Sequence, residues 1–150
     1  MIPVSKAIKL IDRETQSLGS AKIALSAAVG RILAENIVAD ADLPPFDRSM
    51  MDGYAVVAAD TKATPVTLRI VGESAAGHGW HKKLRSGEAV RIMTGAPVPS
   101  GADAVQKVEL THEAAGLVTI NESAKRGQNI VRRAAEIKRG KRIFASGEIV

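Results

Sequence analysis

Pro44-Pro45-Phe46-Asp47-Arg48-Ser49-Met50-Met51-Asp52-Gly53-Tyr54-Ala55-Val56 follows neither a helical nor a plain strand pattern. The two prolines fix the backbone on entry and remove two hydrogen-bond donors. Gly53 permits a backbone conformation closed to other residues. Between these points lie two carboxylates, an arginine and a serine. Tyr54, the only tyrosine, and Phe46, one of two phenylalanines, flank them. The stretch reads as a stiff loop, anchored by aromatics, that holds polar groups in place. Such a loop is a better place to look for chemistry than a helix face.

The two sides of this loop differ. On the N-terminal side, Val4, Ala7, Ile8, Ile11 and Leu18 follow three-four spacing and predict a helix with one buried stripe. Ser5 is placed to cap it and Gly19 to end it. A second short helix is expected over Ser26 to Val29, stopped by Gly30, before the apolar run Ile32 to Val38. On the C-terminal side the pattern turns to β structure. Val66, Leu68 and Ile70 alternate with Thr67, Arg69 and Val71. Ala75 to His81 reads as a Gly-rich loop, Ala89 to Met93 as a strand, and Thr94 to Gly101 as a second Gly- and Pro-rich loop. Ala104 to Leu110 and Leu117 to Ile120 are expected to pair as a hairpin. Ile130-Val131 reads as a short apolar step, and Ile143-Phe144, between Gly140 and Gly147, as one more strand.

Composition narrows the class. The 150 residues allow one ordinary domain or two small ones. Hydrophobic residues make up 45% and aromatics only 3%, so the core must be mostly Ala, Val, Ile and Leu. The absence of cysteine excludes disulfides and thiolate metal sites and fits a reducing compartment. No apolar run approaches the roughly 20 residues that span a bilayer, and no secretion-signal layout opens the chain. A cytoplasmic location, away from membranes, is expected. The apolar end Glu148-Ile149-Val150 suggests that the chain stops before a following element.

The net charge is +5, and much of it lies between Lys125 and Arg142, where Glu136 is the only acid. Such a segment attracts anions, or is a solvated face that aids solubility. It lacks the interleaved aromatics of a base-stacking platform, so no specific nucleic-acid partner is expected.

Asp47 and Asp52 lie five apart on the central loop. Paired carboxylates suit a hard cation such as Mg2+ or the positioning of a water. Asp47 can equally accept backbone N–H groups in the turn after Phe46. Thr94-Gly95 offers a hydroxyl beside backbone amides that can bind an oxyanion, or else a turn that needs Gly95. It is not a P-loop, because no Gly-Lys-Ser/Thr follows. Glu136 is either a metal ligand or the counter-ion of Arg132 and Arg133. His78, His81 and His112 lack metal-site spacing, and Met50, Met51 and Met93 suit packing.

Three blocks carry a resemblance: Pro45 to Val56, then Arg91-Ile92-Met93-Thr94-Gly95-Ala96-Pro97-Val98-Pro99-Ser100-Gly101-Ala102-Asp103-Ala104-Val105, and in outline Gly127 to Arg133 with Ile137 and Gly140. Their order and spacing, with Gly30-Arg31-Ile32-Leu33-Ala34, resemble the MoeA-type molybdopterin molybdenumtransferases, a group that includes the E domain of gephyrin. The resemblance covers essentially the whole chain. It implies an enzyme that takes adenylylated molybdopterin, releases AMP and inserts molybdate, assisted by Mg2+. It also implies a homodimer, a separate C-terminal α/β domain absent from this chain, and a molybdopterin adenylyltransferase as a candidate partner. Without that domain, the isolated chain is expected to be inactive, and the alternative is a non-catalytic dimerisation or docking module.

The implied fold is α+β and β-rich, with a helical, elongated dimerisation part over residues 1–43 and 137–150 and an inserted β lobe over residues 44–136. The implied catalytic residues are Asp52 and Thr94. Ser49, Gly95, Arg132 and Arg133 would contact the cofactor, and Asp52 and Glu136 the metal. Two departures stand out. Ala134-Ala135-Glu136 replaces the family's glycine-glutamate-aspartate triplet, and Arg48 replaces a frequent asparagine.

Overall fold

The computed structural model describes residues 2–16 and 18–150. In chain order the elements are α1 (Val4–Glu14), β1 (Ile37–Val38), β2 (Arg48–Ser49), β3 (Gly53–Val56), β4 (Val66–Ser74), β5 (Glu88–Ile92), β6 (Ala104–Lys107), β7 (Thr111–Ala114), β8 (Leu117–Ile120), β9 (Ile130–Val131) and β10 (Arg142–Phe144). Single 3-10 turns occupy Leu25–Ala27, Ala58–Thr61 and Val108–Leu110. Chain contacts divide the protein into two compact units, one of residues 1–37 and 142–150 and one of residues 38–141.

The expected helical, elongated part is not there. Among the described residues the only α-helix is α1, and the dominant element is a curled six-stranded sheet. α1 ends at Thr15, whose N–H and hydroxyl both donate to the Ile11 carbonyl, at 2.9 and 2.7 Å. It therefore stops before Leu18 and Gly19, and its N-cap is Pro3 rather than a serine. Beyond it, Gly19, Gly30 and the β-branched Ile23, Val29, Ile32, Ile37 and Val38 disfavour further helix. The predicted second helix is only the 3-10 turn at Leu25–Ala27.

The first unit has little interior. Gly30, Arg31, Leu33 and Asn36 exchange hydrogen bonds with residues 146–150, and Ile32 bridges Ile149. No residue of α1 is buried, and Val4, Ile8 and Ile11 are 76%, 53% and 60% exposed. The stripe expected to be buried is therefore open in this chain.

The second unit holds the sheet, in the order β6-β3-β5-β4-β8-β7. β3 pairs antiparallel with β5 and β6, while β4 runs parallel to β5 and antiparallel to β8. The sheet curls, so that Glu113 on the edge strand β7 reaches Tyr54 on β3 and Arg91 on β5. One face packs Tyr54, Val56, Leu68, Val118 and Ile120 into a core. The other buries Ala55, Val90, Ile92 and Val105 against Leu84 and Ala96 from the loops and Ile130 from β9. With both faces covered, all four residues of β3 are buried. A strand buried on both sides shows no alternation, so this one reads as loop in the sequence.

Two details complete the sheet. The hairpin to β8 comes from β7, not from Ala104–Leu110, because the 3-10 turn at Val108–Leu110 diverts the chain after β6. β4 has a register shift between Ile70 and Gly72, and the ring of Trp80 lies directly over Gly72. No helix among the described residues is long and apolar enough to cross a membrane.

Candidate functional site

The loop after the two prolines is a short strand held along both edges. On one side Ser49 N–H donates to the Ala96 carbonyl at 3.0 Å, Gly95 N–H to the Ser49 carbonyl at 2.9 Å, and Val98 N–H to the Asp47 carbonyl at 2.9 Å. On the other, β2 pairs with β9, and Met50 N–H donates to the Asn129 carbonyl at 2.9 Å. The loop thus lies between residues 95–98 and residues 129–131.

Its end presents Asp52. The Thr94 amide and the Thr94 hydroxyl both donate to Asp52 Oδ1, at 2.7 and 2.8 Å. Asp52 Oδ2 has no partner among the described residues. The Thr94 amide, then its hydroxyl, hold the Asp52 carboxyl below its ordinary value, against a smaller upward effect of desolvation. The sequence thus set two residues 42 apart into direct contact. Gly53 follows in β3, where a side chain is excluded: a Cβ would stand 1.9 Å from the Gln106 carbonyl oxygen.

The Thr94-Gly95 segment is a turn. Gly95 has φ +80°, and the Ala96 amide donates to the Met93 carbonyl at 3.0 Å. Thr94, Gly95 and Ala96 amides are all spent inside the protein, on Asp52, Ser49 and Met93. The donors of Thr94 therefore serve the carboxylate.

The remaining predicted residues form an ion-paired clamp around the same loop. Asp47 accepts from Arg132 Nη1 at 2.6 Å and from the Arg133 amide at 2.8 Å, which is not the local turn expected after Phe46. Partial burial pushes Asp47 up, but those two donors outweigh it and hold it below its ordinary value. Asp42 accepts from the Arg139 amide at 2.8 Å and from Arg133 Nε at 2.6 Å, and both lower its carboxyl. Arg48 pairs with Glu136 at 2.9 Å, so the two departures from the family pattern meet each other. Ser49 is buried, and its hydroxyl is spent on the Met51 backbone. Among the described residues no three His, Cys, Asp or Glu side chains form a group that could hold a metal ion.

A half-open hollow of about 420 Å³ lies at Asp52, with Met93, Val108 and Ile92 as apolar wall and Tyr54, Arg91 and Glu113 as polar wall. Tyr54 Oη donates to Glu113, which also pairs with Arg91. Arg91 in turn lies 3.9 Å from Glu73. The Tyr54 hydrogen bond, then Arg91, lower the Glu113 carboxyl below its ordinary value. Burial, then Glu113, push the Tyr54 phenol up. Sequence reasoning missed this trio as a unit. Arg91 was visible as a lone charge inside the apolar run Ala89 to Met93, but nothing in the sequence joins it to a residue 22 positions away.

The β lobe thus sets a carboxylate at the mouth of a polar hollow, on a loop braced by arginine–carboxylate pairs. The family described as the MoeA N-terminal region (domain I and II) matches residues 2–150, and this chain belongs to that family. Among curated relatives, a molybdopterin molybdenumtransferase of Staphylococcus aureus is 35% identical over 153 residues, which cover 99% of this chain and 36% of the relative. One of Staphylococcus epidermidis is 37% identical over 150 residues, covering 97% and 36%. A crystal structure of a molybdopterin biosynthesis moeA protein from Pyrococcus horikoshii OT3 matches with a TM-score of 0.86 at 33% identity, over 100% of this chain and 41% of that one. A second Pyrococcus moeA structure gives 0.89 at 36% identity, over 99% and 39%. The chain therefore spans little more than a third of the length of the curated relatives it matches.

Proposed function

We propose that this chain forms one wall of the catalytic cleft of an enzyme that inserts molybdate into adenylylated molybdopterin and releases AMP. The observation that carries the reading is the Asp52–Thr94 contact: one carboxylate oxygen is fixed by two donors and the other is open. A carboxyl held below its ordinary value stays ionised near neutral pH. Such a group is a poor general base and a good ligand or electrostatic partner for a cation. Mg2+ is usually held by one or two carboxylates together with substrate phosphates, which fits a single open oxygen here. When bound, the ion would neutralise charge on the phosphate oxygens as AMP leaves. Asp52 is its ligand in this reading. Glu136 contributes only its second oxygen, since Arg48 holds the first. Arg132 and Arg133, tied to Asp47 and Asp42, brace the loop and present their remaining N–H groups to the anionic substrate.

The complete reaction needs more than this chain. We assign the pterin pocket to a C-terminal α/β domain, the supply of substrate to a molybdopterin adenylyltransferase, and the setting to the cytoplasm. The exposed apolar stripe of α1 supports a homodimer, and it also favours a second reading in which the isolated chain acts only as a dimerisation module.

Replacing by alanine the aspartate that aligns with Asp52 in the full-length Staphylococcus aureus relative tests the catalytic reading. The expected outcome is a fall in turnover of adenylylated molybdopterin of about 100-fold or more, the scale of losing a main electrostatic group. Unchanged turnover rejects the role.

A further inference from the structure

The second unit carries another hollow, of about 490 Å³, whose lining shares no residue with the one at Asp52. Its charged and polar residues are Lys62, Lys125, Arg126, Asp103 and Ser123, and Ala124 is part of its apolar floor.

The charge balance is lopsided: three cations face one carboxylate. That carboxylate is already committed. Asp103 Oδ1 accepts the Ala58 amide at 2.7 Å, and Oδ2 lies 3.6 Å from Arg126 Nε. Lys62 and Lys125 have no acidic partner among the described residues. Asp60, close to Lys62 in sequence, is turned instead to Ser86 Oγ and the Gly87 amide, at 2.7 and 2.8 Å. Within the same basic run Arg132 and Arg133 are instead each paired at 2.6 Å.

The backbone under these cations is fixed. The Ala124 amide donates to Thr61 Oγ1 at 2.9 Å, and that buried hydroxyl donates to the Ala58 carbonyl at 3.0 Å. The Gly127 amide donates to the Asp103 carbonyl at 2.7 Å, and the Lys125 amide to Gln128 Oε1 at 2.9 Å. Two chain segments 63 residues apart are thereby bolted together, with Lys62 on one and Lys125 and Arg126 on the other. With the backbone already ordered, the entropic cost of binding falls on the lysine and arginine side chains alone. Lysine and arginine side chains lining a concave surface suit a phosphate, whose oxygens take several charge-assisted hydrogen bonds at once. The volume falls in the range of small-molecule sites.

We propose that this hollow is an anion site for the phosphate of a small phosphomonoester. Lys62, Lys125 and Arg126 supply N–H donors and Ser123 an O–H donor. The site is independent of the role given to Asp52, so either reading can fail without the other.

The test is amide-shift mapping of the isotopically labelled full chain at low salt, with inorganic phosphate, AMP and adenosine as separate probes. Phosphate and AMP are expected to give saturable shifts centred on residues 123–126, and adenosine none there. The double variant Lys62→Ala/Lys125→Ala is expected to weaken both phosphate-bearing probes about tenfold or more, on the order of 1.4 kcal/mol. Both lysines are exposed and unpaired, and an unchanged amide spectrum of the free variant checks its fold. Lys9→Ala, on α1, is expected to bind as the parent does. The proposal is overturned by a non-saturable response, by shifts spread equally over Lys138 to Arg142, by equal shifts with adenosine, or by parental affinity in the double variant.

Discussion

At the scale of single residues, Asp52 and Thr94 show how a turn tunes a carboxylate. Both Thr94 donors act on one oxygen and hold the group below its ordinary value of 3.8. Ionised Asp52 therefore favours the fold above that value, and the contribution is lost as pH falls through its folded pKa. Thr94→Val removes the hydroxyl but keeps the amide. Carboxyl-carbon titration by NMR is expected to show the Asp52 pKa moving part of the way back up; an unmoved pKa refutes the assignment. Asp42, Asp47 and Glu113 are lowered as well, so the acid limb of stability should be steep below about pH 4. Ala134 gives a second residue-scale case. It has φ +61°, a conformation that costs an L-residue roughly 1 kcal/mol and glycine almost nothing. The glycine that the family resemblance places at this position thus has a conformational reason. Ala134→Gly is expected to stabilise the chain by about 1 kcal/mol in denaturant unfolding, and a destabilised variant contradicts this account.

At the scale of elements, the close approach of β3 to β6 sets the position of Asp52. A methyl group at Gly53 would collide with backbone, not with a movable side chain. Gly53→Ala is expected to cost on the order of 3 kcal/mol or more, the range of strained and overpacked core changes. Thermal unfolding measures it, and a loss below about 1 kcal/mol means the strands can separate freely. The elements also show what was legible in the sequence. β4, β5, β8 and β10 each have an apolar step or alternation that marked them in advance, Ile130-Val131 stood out only as an apolar step, and Asp52, Thr94 and Gly95 were candidates from their loop chemistry, with a plain turn as the alternative at Thr94-Gly95. β3 was not, because Tyr54, Ala55 and Val56 are buried on both faces and leave no alternating pattern. Nor was the hairpin partner of β8, because the diversion at Val108–Leu110 depends on tertiary contacts such as the Val108 amide on the Asp52 carbonyl. The basic run gave the sign of the charge but not its fate: Arg132 and Arg133 pair with acids 85 and 91 positions earlier. The helical dimerisation part was over-read, since a three-four stripe ending at Ile11 does not extend past Thr15.

At the scale of the whole molecule, the open apolar stripe of α1 carries the proposed self-association. Val4, Ile8 and Ile11 lie on successive turns, and burying them against a second copy would remove several aliphatic side chains from water at about 1.5–3 kcal/mol each. Sedimentation of the full chain is expected to show a dimer whose dissociation constant is nearly insensitive to salt. The double variant Ile8→Asp/Ile11→Asp is expected to be monomeric with an unchanged sheet. A parental chain that stays monomeric at high concentration removes the dimer.

The clamp on the Asp52 loop has a consequence for biosynthesis. Strand β2 is completed only by β9, so its partner emerges from the ribosome some 80 residues later. Until Val131 has left the exit tunnel, one edge of that strand is bare and the arginines that neutralise Asp42 and Asp47 have not yet emerged. The Asp52 loop is therefore among the last parts of the second unit to acquire its shape during synthesis, and nascent chains arrested short of residue 130 should display it as accessible to protease.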